Sequence, residues 1–100
     1  MAKRKGTSWK ASTESVQGEG SWVQLRGTTV GEQKAARAGE LEDDALIIEH
    51  VTGWNWVDDA GNALPLPKDE PEIVDILTAE EARVIVFKLF QGDPGFDPNS

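Results

Sequence analysis

Residues 54 to 67 constrain this chain more than any other stretch. They run Trp54-Asn55-Trp56-Val57-Asp58-Asp59-Ala60-Gly61-Asn62-Ala63-Leu64-Pro65-Leu66-Pro67. The middle of the segment is turn chemistry, because an Asp side chain can hydrogen-bond backbone just after it and Gly is free to take positive φ. Trp54 and Trp56 fall on one side of an extended arm, and Leu64 and Leu66 repeat that spacing after the turn. Pro65 and Pro67 have no N–H for a ladder, so the returning arm is an edge strand or simply extended. The segment therefore predicts a hairpin-like clamp that closes over helices on either side of it.

Those helices announce themselves through their caps. Thr28 or Thr29 can cap a helix in which Glu32 lies at the capping-box position for Thr29, ahead of the helix formers Gln33-Lys34-Ala35-Ala36-Arg37-Ala38, and Gly39 stops the run. Glu40, Glu42, Asp43 and Asp44 suit the positive end of a helix dipole, which predicts a second helix over about 43 to 52. Its apolar face would hold Ile47, Ile48 and Val51, with Gly53 ending it. Pro71 is placed to open a short helix over 72 to 77. Thr78-Ala79-Glu80-Glu81 is another capping box and opens the last helix, 79 to 91, stopped by Gly92. On that helix Ala82, Ile85, Val86 and Leu89 recur at the i, i+3, i+4, i+7 spacing of a core-facing stripe. Ahead of all these, Ser21-Trp22-Val23-Gln24-Leu25-Arg26 alternates like a short strand or an extended lead-in.

The ends read differently. Lys3, Arg4, Lys5 and Lys10 against Glu14 and Glu19 leave residues 1 to 20 at +2, so the other eighty residues carry −10 of the total of −8. With Trp9 and Val16 as its only substantial hydrophobes, this stretch offers little burial against the ~1 to 2 kcal/mol per residue that ordering costs. The expected organisation is a disordered basic tail over 1 to 20, one small domain over 21 to 91, and a second disordered tail over 92 to 100. The expected fold class is mainly α: a small helical domain with a short N-terminal strand and the tryptophan hairpin.

Composition excludes several chemistries. The chain has no cysteine and one histidine, which removes disulfide frameworks, thiolate zinc sites, cysteine nucleophiles and multi-histidine metal centres. No apolar run approaches the ~18 residues of a membrane span, and the start resembles no secretory leader, which points to a cytosolic protein without a membrane partner. Four basic residues without interleaved aromatics are a weak nucleic-acid signal, better read as a solvated tail. The run Asp58-Asp59-Ala60-Gly61-Asn62 fails as a calcium loop, since Gly61 at the sixth position would put Trp56 and Ala60 where oxygen ligands are needed. Asp43/Asp44 and Glu80/Glu81 are explained by helix starts, and Gly18-Glu19-Gly20 lacks the rest of a phosphate-binding fingerprint. His50 reads as a surface or boundary residue. No enzyme, cofactor or metal is expected.

A partner surface is the remaining reading. Trp54 and Trp56 suit either a core or a binding hot spot, with the core favoured because about seventy residues need their area. On the last helix Val84, Phe87 and Phe90 form a ridge of their own beside the core stripe, so both ridges cannot easily be buried by so small a fold. Val84, Phe87, Phe90, Trp54 and Trp56 are therefore the candidate partner-binding residues.

The segment from Trp54 to Pro65 resembles the W-N-x-x-D-x-x-G-x-x-L-P pattern of bacteriophage tail assembly chaperones, small proteins encoded among the tail genes of long-tailed phages. Leu25-Arg26-Gly27-Thr28-Thr29-Val30-Gly31-Glu32 and Asp75-Ile76-Leu77-Thr78-Ala79-Glu80-Glu81 look similar in the same order, so the resemblance covers about residues 22 to 90. It implies a small, mostly helical, self-associating protein of the host cytoplasm that binds the tape measure protein before the tail tube polymerises. The residues alone leave two other roles open: a small structural component of the virion, such as a tail, connector or decoration protein, and an acidic inhibitor that mimics nucleic acid.

Overall fold

The computed structural model describes residues 8 to 92. Three strands, β1 (Ser8–Ser12), β2 (Trp22–Arg26) and β3 (Val51–Trp54), form one antiparallel sheet in the order β1-β2-β3. Helices α1 (Glu14–Gln17), α2 (Val30–Arg37), α3 (Asp43–His50) and α4 (Ala79–Gln91) surround it, with a 3-10 helix over Pro71–Ile76. Of the described residues 46% are helical and 19% lie in strands, so the mainly α expectation gives way to a small α/β domain.

The largest correction concerns the N-terminus. Residues 8 to 20, expected to belong to a disordered tail, supply a full edge strand and a helical turn, whereas residues 1 to 7 and 93 to 100 lie outside the described residues. Strand β1 alternates exposed and buried positions, placing Trp9 and Ala11 inward and Ser8, Lys10 and Ser12 outward. One tryptophan and one alanine are a sparse apolar signal, but a strand that borrows its ladder from β2 needs only one good face. In β2 the inward residues are Val23 and Leu25, both fully buried. Trp22 turns to the other face, where the Lys10 ammonium stands 4.1 Å from its ring centroid.

The second correction is at the end of α3. The helix stops at His50, and the residues expected as its last turn begin β3 instead. Val51 and Thr52 are β-branched and fit a pleated surface better than a helix, and pairing with Leu25 buries Val51 completely. The pairing skips one residue between Gly53 and Val51, so β3 bulges at Thr52, whose hydroxyl donates to the Gln24 carbonyl at 3.3 Å. Consequently the inward face of α3 is Leu46, Ile47 and His50 rather than Ile47, Ile48 and Val51.

The core lies between the sheet and the pair α3 and α4. Trp9, Val23, Leu25, Leu46, Ile47, Val51, Trp56, Ile85 and Leu89 are its main members. The two capping boxes form as read: Thr29 with Glu32, and Thr78 with Glu81. Gly92 ends α4 at φ 84°, a conformation that L side chains rarely adopt.

If β1 belongs to the core, Trp9→Ala should cost ~3 to 5 kcal/mol, the range for emptying a buried aromatic site. Urea unfolding of the purified chain measures it. A loss below about 1 kcal/mol would make residues 8 to 12 an appendage.

Candidate functional site

The tryptophan segment is a tight hairpin. Asp58 N–H donates to the Asn62 carbonyl at 2.9 Å, Leu64 N–H to the Trp56 carbonyl at 2.9 Å, and Val57 bridges Ala63. The Asp58 carboxylate accepts from Ala60 and Asn62 N–H groups, and Gly61 takes φ 85°. Trp54 and Trp56 share a side, as the spacing requires, and their rings stack with centroids 4.8 Å apart and planes 5° from parallel.

Their environments then diverge. Trp56 is 1% exposed, and its indole N–H donates to the Thr13 hydroxyl at 3.0 Å, so it is a core residue out of reach of any partner. Trp54 stays half-buried, with its N–H on the Leu64 carbonyl at 3.1 Å. Two amide side chains bind the arm to the N-terminal region. Asn55 accepts from Trp22 N–H and donates to the Gly20 carbonyl, and Gln17 both donates to and accepts from the Val57 backbone. Gln17 also donates to the Glu81 carboxylate, which joins the hairpin to the first turn of α4.

Helix α4 presents the other candidates. Ile85 and Leu89 are buried, whereas Phe87 is 65% and Phe90 41% exposed, with Val84 half-buried between the two sides. Phe90 and the α2 residues Gln33, Ala36 and Arg37 line a groove of about 310 Å³ that includes neither tryptophan. The hairpin meets α4 at Glu81, while Phe87 and Phe90 come six and nine residues later, ~9 to 14 Å further along the axis at 1.5 Å per residue. The five candidates thus do not form one continuous patch: the tryptophans belong to the hairpin, one of them sealed, Val84 is half-buried midway along α4, and the phenylalanines lie in its C-terminal half.

An unforeseen charged cluster lies at the Arg26 end of β2. His50 is fully buried, not at the surface or boundary as expected. Its Nδ1 lies 2.8 Å from the Arg26 carbonyl and its Nε2 2.9 Å from the Glu32 carboxylate. A carbonyl can only accept, so Nδ1 carries a proton. With both nitrogens occupied and no exposed edge, this ring works as a strut between β2, α2 and α3. Glu32 divides its two oxygens, one closing the capping box on Thr29 N–H and the other facing His50. Arg26 adds an ion pair to Glu49 at 3.6 Å and a longer one to Glu32 at 3.9 Å. Desolvation pushes the Glu32 pKa up, but the Thr29 N–H, the His50 charge and the bonds from His50 and the Thr29 hydroxyl outweigh it, and the carboxyl is held below its ordinary 4.5.

No protein-family model matches this sequence, and no curated protein and no solved structure matches it.

A depressed carboxyl pKa stabilises the fold above the unfolded value and loses that contribution as pH falls through the folded one. Glu32→Gln should therefore lower Tm at neutral pH, and the difference from wild type should shrink as pH drops below about 4.5. Thermal melts of both proteins across that range check it; a gap that stays constant would show that Glu32 contributes nothing ionic.

Proposed function

We propose that this chain is a non-catalytic tail assembly chaperone of a long-tailed phage, acting in the host cytoplasm, and that it holds a helical segment of the tape measure protein along the outer ridge of α4. Phe87 carries the reading. It stands 65% exposed in the C-terminal half of the 13-residue α4, with Phe90 one turn on at 41%. The opposite side of the same helix is anchored by Ile85 and Leu89, and its start by the Thr78–Glu81 capping box, so the ridge is held rigidly towards water. Large side chains projecting together from a fixed helix suit a second helix laid against them, which would take them out of water at about 25 cal/mol per Å². The partner's identity comes from the resemblance of residues 54 to 65 and its ordered companions, and the exposed ridge supports it by supplying a place to bind.

Phe87→Asp should abolish co-purification of the co-expressed tape measure protein while shifting stability by only about 0.5 kcal/mol, since exposed positions tolerate a charge. Pull-down and melting temperature on the same variant test both halves. Loss of fold with loss of binding would make Phe87 a packing residue, and unchanged binding would move the interface elsewhere. Persistence of the chain in purified particles would favour a structural virion component over a chaperone.

A further inference from the structure

A second surface, at the opposite end of α4, has its own chemistry. Helix α1, the hairpin turn, the 3-10 helix and the first turn of α4 enclose a cleft of about 550 Å³. Its apolar lining includes Val16, Val57, Leu64, Ile76 and Leu77. Two of these are among the exposed large hydrophobics of the described residues: Ile76 at 65% and Val57 at 38%. Four carboxylates, Asp58 and Asp59 from the turn and Glu80 and Glu81 from α4, flank this floor, and no Lys, Arg or His lines the cleft.

The charge decides what can enter. The start of α4 contributes roughly half a positive charge, far less than four carboxylates. Asp58 and Glu81 are partly engaged by the turn and the capping box, but among the described residues Asp59 and Glu80 have no ion-pair partner. An anion is excluded by this field. A metal ion does not suit it, because among the described residues no three acidic or imidazole side chains are grouped closely enough to hold one. Carboxylates from two facing elements with an apolar floor between them match an extended ligand that alternates positive and apolar groups.

We propose that this cleft docks a segment of a partner protein in which Lys or Arg flanks bulky apolar side chains, the apolar groups on Val57 and Ile76 and the cations on Asp59 and Glu80. A second copy of this chain is a poorer occupant, since it brings another −8 to an acidic surface. The chain's own start has the charge, in Lys3, Arg4 and Lys5, but lacks a bulky apolar residue between them. The inference is independent of the tail-assembly reading, which uses the other end of α4.

Two fluorescein-labelled peptides of equal charge, Lys-Leu-Leu-Lys-Leu-Leu-Lys and Lys-Ser-Ser-Lys-Ser-Ser-Lys, test it by anisotropy against the full chain near physiological salt. The leucine peptide should bind at least about tenfold more tightly than the serine peptide. Its amide-shift changes in the labelled protein should centre on Val57, Asp59, Ile76 and Glu80. Affinity should fall about tenfold or more both in the Asp59→Asn, Glu80→Gln double variant and in Ile76→Ser. All three positions are exposed, so both variants should stay folded, with the double variant's melting temperature lowered only slightly by the loss of the Glu80 charge from the first turn of α4. Equal binding by wild type and both variants, or shifts centred on Phe87 and Phe90, would overturn the proposal. So would tighter peptide binding after deletion of residues 1 to 7, which would identify the chain's own start as the occupant, or self-association of the wild type that the same variants abolish, which would identify a second copy.

Discussion

The indole N–H of Trp56 is sealed inside the protein, and the acceptor it finds there is the Thr13 hydroxyl. Leaving such a donor without a partner costs about 1 to 3 kcal/mol, so Trp56 can fill the core only where an acceptor is delivered to it. Thr13 in turn donates its hydroxyl proton to Ser21 at 2.9 Å and its backbone N–H to the Ser21 carbonyl at 3.1 Å. That geometry exists only when β1 is paired beside β2. The hairpin, the N-terminal strand and the start of β2 therefore close as one unit, and among the described residues no buried side-chain polar atom is left unpaired.

The Arg26 end of the sheet is fastened by a different means. None of the residues of α2 is buried, so apolar packing alone holds it weakly. Glu32 compensates by capping its own helix with one oxygen and binding His50 with the other, while the Gln33 side chain reaches Thr28 at 3.0 Å. A buried imidazole flanked by a carbonyl and a carboxylate is expensive to break from one side, because the remaining group stays desolvated. Local cap chemistry and tertiary attachment thus share one side chain, which ties the seating of α2 to the ionised state of Glu32.

Features governed by neighbours in sequence were legible. Both capping boxes, the stop at Gly92, the turn around Gly61 and the shared side of Trp54 and Trp56 follow from residues within four positions of each other, and all are present. Features governed by distant partners were not. Strand β1 has one large hydrophobe, and nothing in Ser8-Trp9-Lys10-Ala11-Ser12 says that β2 will supply its ladder or that Thr13 will meet an indole forty-three residues later. His50 shows the same limit, since its acceptors come from Arg26 and Glu32, and a lone histidine beside Glu49 gives no sign of either. Among candidate site residues, the amphipathic spacing separated Phe87 and Phe90 from the buried Ile85 and Leu89. It could not separate Trp54 from Trp56, because which ring lies deeper depends on Thr13. The acid-flanked cleft had no linear signature at all, its walls coming from four separate elements.

Helix α4 emerges as the element on which both surfaces depend, with a phenylalanine ridge towards its end and carboxylates around its beginning. Each is aimed by the same buried stripe and by the hairpin that Trp56 anchors. Hydrogen exchange at the Trp56 indole N–H, followed by nuclear magnetic resonance, reads that anchor directly. If Thr13 holds it inside the closed unit, the proton exchanges only through global unfolding, with the same opening free energy as the slowest backbone amides of β2. Exchange several orders of magnitude faster, at the rate of locally opened sites, would show that the N-terminal segment leaves while the rest stays folded, and would contradict the account.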